Sequence, residues 1–212
     1  MSDEKTIVKG SFWVYTGNAM SLVIAFLSTI ILSRILDREG WGIFASVLSV
    51  SYFLATFVDL GFIYTLTHYT STLGAKGQYS KLKVYLDKLL KYRFVLISIF
   101  AIGIFLASGW ISDFFHIPNG AGYFQVSALF FIFSGIFAAL DAVLAGLKMF
   151  WASATFTFLN YVLRLVISLV LIYFGFGVVG AILGYTAAFI FITFLAVYSL
   201  RGILFQPSLE KQ

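Results

Sequence analysis

Long uncharged apolar runs, separated by short polar turns, recur along the whole chain. The first, Gly10 to Ser33, holds no charged residue, and about six such stretches follow one another. An apolar helix of 18 or more residues, rising 1.5 Å per residue, can cross a hydrocarbon core of roughly 30 Å. The runs are continuous rather than alternating, which argues against the strands of a membrane barrel. The pattern predicts six spans, over about 11–35, 41–70, 94–115, 123–147, 150–174 and 178–200. The last two are divided at Gly175-Phe176-Gly177, because the uncharged run from Leu165 to Leu200 is too long for one crossing. Polar turns at Leu36–Gly40, at His116–Gly120 and at Lys148 close the earlier spans.

Composition fits this class. The 212 residues are 61% hydrophobic and 11% charged, whereas a soluble domain carries about 25% charged residues. The net charge of +5 is confined to particular loops, so it reports topology and implies no nucleic-acid partner. Lys5 and Lys9, the segment 74–93, the turn at Lys148 and the tail with Arg201 and Lys211 are basic. The remaining turns carry Arg34 and Arg38 offset by Asp37 and Glu39, and then Asp113 alone. Positive-inside reasoning therefore places both termini in the cytoplasm. The expected organisation is a cytoplasmic N-terminus (1–10), a six-helix transmembrane lobe (11–200) and a cytoplasmic tail (201–212). The first run is too long for the apolar core of a signal peptide, so it is expected to be retained. Within 74–93, Leu82, Leu86, Leu89 and Leu90 alternate with lysines. That spacing predicts an amphipathic helix lying on the cytoplasmic face, its lysines near anionic headgroups of the membrane lipids. The absence of cysteine excludes disulfides and thiolate metal sites. His68 and His116 have no companions that would make a metal site. No nucleophile–base pair or phosphate loop appears, so neither an enzyme nor a cofactor is expected.

The polar residues inside the spans carry the chemistry. Ser153, Thr157, Asn160, Arg164 and Ser168 recur every three or four residues and share one face of the fifth span. A polar stripe cannot face lipid cheaply, so it must face other helices or a water-filled cavity. Weaker stripes run along the first span (Tyr15, Asn18, Ser21, Ala25, Ser28), the second (Ser49, Tyr52, Thr56, Asp59) and the fourth (Ser127, Ser134, Ala138, Asp141). Arg164 lies roughly 24 Å into the fifth span, in its outer half, whereas Asp59 and Asp141 lie toward the cytoplasm. Neither carboxylate is at its level. An unpaired guanidinium facing a cavity suits a phosphate group, because its planar fork donates two parallel hydrogen bonds. The alternative is that Arg164 bonds to backbone carbonyls or to Asn160. Gly180 and Gly184 form a GxxxG in the last span, which permits close helix approach within the chain or between chains.

Two stretches resemble the polysaccharide-biosynthesis flippases. Leu32-Ser33-Arg34-Ile35-Leu36-Asp37-Arg38-Glu39-Gly40-Trp41-Gly42-Ile43-Phe44 is similar to the junction of that family's first two helices. Val58-Asp59-Leu60-Gly61-Phe62 resembles its acidic-leucine-glycine signature, and Arg164 matches an arginine often found in its fifth helix. The resemblance implies one lobe of an all-α, two-lobe fold like that of the multidrug and toxin extrusion transporters. It further implies transport of a lipid-linked oligosaccharide, a sugar chain on a polyprenyl pyrophosphate, across the cell membrane by alternating access. Arg164, Asn160, Arg34 and Asn18 are then the expected substrate-binding residues. Asp59 and Asp141 are assigned to ion coupling or helix bridging, Asp59 between the first two spans. A homodimer or a second six-helix lobe would complete the cavity. Two alternatives stand beside this reading: an ion-coupled small-molecule or drug antiporter of the same superfamily, and a non-transporting half or scaffold that binds a partner.

Overall fold

No water satisfies backbone polar groups in hydrocarbon, so long apolar runs must close their hydrogen bonds internally. In the computed structural model, which describes the backbone of residues 2–204 and the side chains of 19–201, every regular element is a helix. In chain order they are α1 (Ser2–Ile35), α2 (Asp37–Asp59), α3 (Phe62–Ala75), α4 (Tyr79–Leu106), α5 (Ser108–Phe114), α6 (Ala121–Gly146), α7 (Phe150–Leu171) and α8 (Gly177–Leu204). The stretches Asp37–Asp59, Tyr79–Leu106, Ala121–Gly146 and Phe150–Arg201 are long and apolar enough to cross a membrane, and Ala19–Ile35 is a shorter apolar helix. The protein is an all-α, multi-pass membrane protein.

The turns follow the local chemistry. The chain reverses between α7 and α8 through a wide π-type turn, Ile172–Phe176, where Gly175 has φ +90°. That is the break the sequence predicts. Lys148 makes the tight return into α7, with φ +60°. At the α1–α2 junction, Asp37 Oδ1 accepts a 2.8 Å bond from the Gly40 amide, so the polar turn is already the first turn of α2.

Two expectations fail. The second span is not one helix: it breaks after Asp59, and Gly61 takes φ +86° to start α3 in a new direction. Hydropathy is continuous across this point, so periodicity gave no sign of it. Nor is the basic segment a helix of its own from Tyr79 on. It is the first half of α4, continuous with the third span. Its leucines, Leu82 and Leu86, are buried against α3 and α6 in a core with Leu66, Leu140, Val143 and Leu144. Packing therefore holds this half-helix against α3 and α6. Tyr69 of α3 stacks on Tyr85 of α4, centroids 5.2 Å apart, and Thr67 donates a 3.3 Å bond to the Ala142 carbonyl of α6.

α6 occupies the centre, in contact with α2, α3, α4, α7 and α8. α1 packs mainly on α7 rather than on its sequence neighbour α2, and α7 packs on α8. In the junction that resembles the flippase family, Leu32, Leu36, Gly40 and Phe44 are all buried, whereas Arg34 and Arg38 are exposed. Spacing at four residues across the α1–α2 turn thus builds core on one side and leaves the charges outside.

Candidate functional site

The polar stripe of α7 closes against α8. Asn160, Arg164 and Ser168 are buried, one turn apart. Ser168 Oγ donates a 3.1 Å bond to the Ala181 carbonyl of α8. Gly184, one turn further along α8, packs directly on Ser168. The GxxxG of Gly180 and Gly184 therefore serves an intrachain contact. Close approach here is what small residues permit in a bundle that lacks a hydrophobic drive between its helices.

Arg164 has no carboxylate partner among the described residues. Its guanidinium carbon sits 4.9 Å from the ring centroid of Tyr161, 5.1 Å from that of Tyr185 and 4.2 Å from that of Phe189. Cation–π contacts to the faces of a guanidinium leave its in-plane N–H edge for hydrogen bonds. Among the described residues, two buried donors of α7 meet no acceptor: Arg164 Nε and Asn160 Nδ2. Among the described residues, Arg164 bonds neither to Asn160 nor to a backbone carbonyl, the alternative its spacing had left open. An orphaned buried donor costs about 1–3 kcal/mol, so two of them a turn apart mark an acceptor-seeking spot. The aromatic cage could not be read from the stripe itself. Tyr185 and Phe189 are one turn apart on α8, yet only the α7–α8 packing brings them to Arg164.

The other expected residues fall elsewhere. Arg34 is exposed in the last turn of α1 and is not among the groups around Arg164. Asn18 belongs to α1, and its side chain lies outside the described residues. Asp141 accepts a 2.6 Å bond from Ser153 Oγ, which bridges α6 to α7 near their connection. Replacing Ser153 by alanine leaves that half-buried carboxylate without its donor. The expected loss is about 1–3 kcal/mol, read as a lower melting temperature in detergent.

Asp59 does bridge helices, but not the first two spans. Its Oδ1 lies 2.6 Å from Arg93 Nη2 of α4, a pair close enough to be ionic although its angle is not that of a hydrogen bond. The Arg93 side chain is 3% exposed and that of Asp59 41%. Arg93 Nε donates a 3.1 Å bond to the Gly135 carbonyl of α6, and its guanidinium carbon lies 5.4 Å from the Phe62 ring centroid of α3. One side chain thus ties α2, α3, α4 and α6 together at the Gly61 break. In the sequence, Arg93 reads only as the last residue of the basic segment 74–93. The signal was present: Arg93 falls in step with Leu82, Leu86, Ile97 and Ala101, the buried stripe of α4.

A multi-pass helical bundle with a polar seam buried inside it is one that membrane transporters use. The chain belongs to the polysaccharide biosynthesis protein family, whose model matches residues 7–211. Neither the curated proteins nor the solved structures contain a significant match to it. Members of this family are transporters of the flippase type rather than enzymes, and flippase-type transport in polysaccharide biosynthesis is the function the family gives the chain.

Proposed function

We propose that the chain is a six-span lobe, with both termini cytoplasmic, of a flippase in the cell membrane. Its substrate is an oligosaccharide carried on a polyprenyl pyrophosphate, moved from the inner to the outer leaflet. The observation that supports this most is the pair of buried, acceptor-less donors on α7, Arg164 Nε and Asn160 Nδ2, with aromatic rings holding the guanidinium. A pyrophosphate supplies several anionic acceptors to such a fork. Rocking of this lobe against a second one, either another copy or a different six-helix lobe, would carry the headgroup across. The native mass in lipid nanodiscs distinguishes self-pairing from a need for another chain.

The test is flipping of a fluorescent polyprenyl-pyrophosphate disaccharide in proteoliposomes. Loss of one charge-assisted hydrogen bond is worth ~1.5–3 kcal/mol, so Arg164→Ala should slow flipping by roughly 10- to 100-fold. Arg164→Lys keeps the charge but not the planar fork, and recovers part of the rate. If Arg164→Ala flips as fast as wild type at equal protein density, the phosphate role is wrong.

One observation favours the ion-coupled alternative. Asp141 is a half-buried carboxylate that bonds a hydroxyl and forms no ion pair with a described residue. Under that reading, a proton or sodium gradient drives uptake of a small molecule into vesicles, and Asp141→Asn uncouples the two. Uptake that ignores both gradients excludes it.

A further inference from the structure

The net charge of the chain is gathered on one short segment. Residues 76–93 hold six lysines and arginines and one carboxylate, Asp87, which accounts for the whole of the +5. Most of this segment is the first half of α4, and there the residues are sorted by face. Lys81, Tyr85, Lys88 and Tyr92 follow at spacings of 4, 3 and 4, so they share one side of the helix, and all four are exposed. Asp87 falls on another side. Among the described residues, neither Lys81 nor Lys88 forms an ion pair. Tyr85 is held in place by its stacking on Tyr69 of α3. The same side continues through Leu96, Ile99 and Leu106, again exposed. One face of α4 thus passes from lysine through tyrosine to aliphatic side chains. We propose that this face binds an anionic glycerophospholipid, with its phosphate beside Lys81 and Lys88 and an acyl chain along Leu96 and Ile99.

Length and depth select that ligand. α4 has 28 residues and so spans about 42 Å, whereas a hydrocarbon core is roughly 30 Å thick. The exposed apolar residues Leu106 and Trp110 mark its far end. Roughly 20 residues back from Leu106, the core ends near Leu86, between Tyr85 and Lys88. Tyrosine is enriched at that boundary, because its ring is apolar and its hydroxyl wet. Side chains on a helix lean toward its N-terminus, so Lys88 reaches out of the core, and Lys81 stands about 8 Å beyond the boundary, near the depth of lipid phosphates. That this is the cytoplasmic leaflet rests on the orientation proposed above; the lipid class does not. A soluble acidic protein could reach Lys81 but not the aliphatic continuation of the face. A second copy of the chain would set two lysine stripes against each other and be repelled.

Lipid retention on the purified full chain tests this without reference to transport. The protein is delipidated in detergent and examined by native mass spectrometry, with dioleoyl phosphatidylglycerol or dioleoyl phosphatidylcholine added. The two probes share acyl chains and differ in headgroup charge. A lysine beside an anionic lipid is worth roughly fivefold in affinity, so two should favour phosphatidylglycerol by roughly 20- to 30-fold. Lys81→Gln with Lys88→Gln should remove most of that preference. Lys76→Gln with Lys148→Asn takes the same charge from outside the stripe and should leave most of it. Equal retention of the two lipids by wild-type protein overturns the proposal and needs no variant. An equal loss in the second pair of substitutions overturns the stripe as the site. Hexaglutamate that displaces phosphatidylglycerol at equal concentration shows an acidic protein segment to be the better fit, and dimers that form only with the stripe intact show a second copy to be so; either result overturns the lipid. None of these outcomes depends on Arg164, so failure here and failure of the flippase reading are separable.

Discussion

Gly184→Leu is expected to push α7 away from α8 and to lower the stability of the fold sharply. A Cβ built on Gly184 would fall on Ser168 Oγ and stand 2.5 Å from the Ser168 amide nitrogen and 2.6 Å from its Cα. Those are backbone atoms of a packed helix, so no rotamer change relieves the contact. α7 must move away, which breaks the bond from Ser168 to the Ala181 carbonyl and withdraws Arg164 from Tyr185 and Phe189. Overpacking typically costs 1–3 kcal/mol, and a lost buried hydrogen bond adds to it, so a total of roughly 3 kcal/mol or more is expected. The measurement is the thermal melt of purified protein in a mild detergent, with flipping assayed on whatever folds. Gly103→Ala is the control. Its Cβ would meet nothing within 4 Å, and alanine is the better helix former, so its melt should be unchanged or slightly raised. A wild-type melt for Gly184→Leu would mean that the α7–α8 contact is not as close as described.

The second large effect is an asymmetry within the Asp59–Arg93 pair. Arg93 makes more contacts, yet removing Asp59 should cost more. Asp59→Ala leaves a guanidinium that is 3% exposed without its counter-charge. Breaking a buried ion pair costs about 3–5 kcal/mol, and the lower end applies because Asp59 itself is 41% exposed. Arg93→Met keeps most of the stem's packing and leaves Asp59 able to reach solvent. It forgoes the bond to the Gly135 carbonyl, and a loss of roughly 1–2 kcal/mol follows. The double variant should then be more stable than Asp59→Ala alone, since no charge is left stranded. Melting temperatures of the four proteins give the sign directly. Hydrogen exchange gives the location: amides of α3 and the first half of α4 should lose protection in Asp59→Ala, because Arg93 ties this hairpin to α2 and α6. A double variant less stable than both singles would rule out a stranded charge as the cause.

Much of this architecture is written in short-range pattern. Runs of apolar residues set the long helices, since hydrocarbon leaves the backbone no other way to satisfy itself. Gly175 and Gly177 mark the α7–α8 turn, and Lys148 the return into α7. The stripe Asn160, Arg164, Ser168 shows from spacing alone that one face of α7 must be shielded from lipid. What spacing cannot say is what shields it. The partners of Arg164 are Tyr161 on its own helix and two rings of α8, brought there by an approach that Gly184 allows. Likewise Asp59 and Arg93 stand more than thirty residues apart, on either side of a break at Gly61 that leaves hydropathy undisturbed. Hydropathy measures the preference of each residue for lipid over water, and so it fixes which segments become helices. Which polar group meets which depends on the crossing and depth of helices remote in sequence, and that was decided only when they packed.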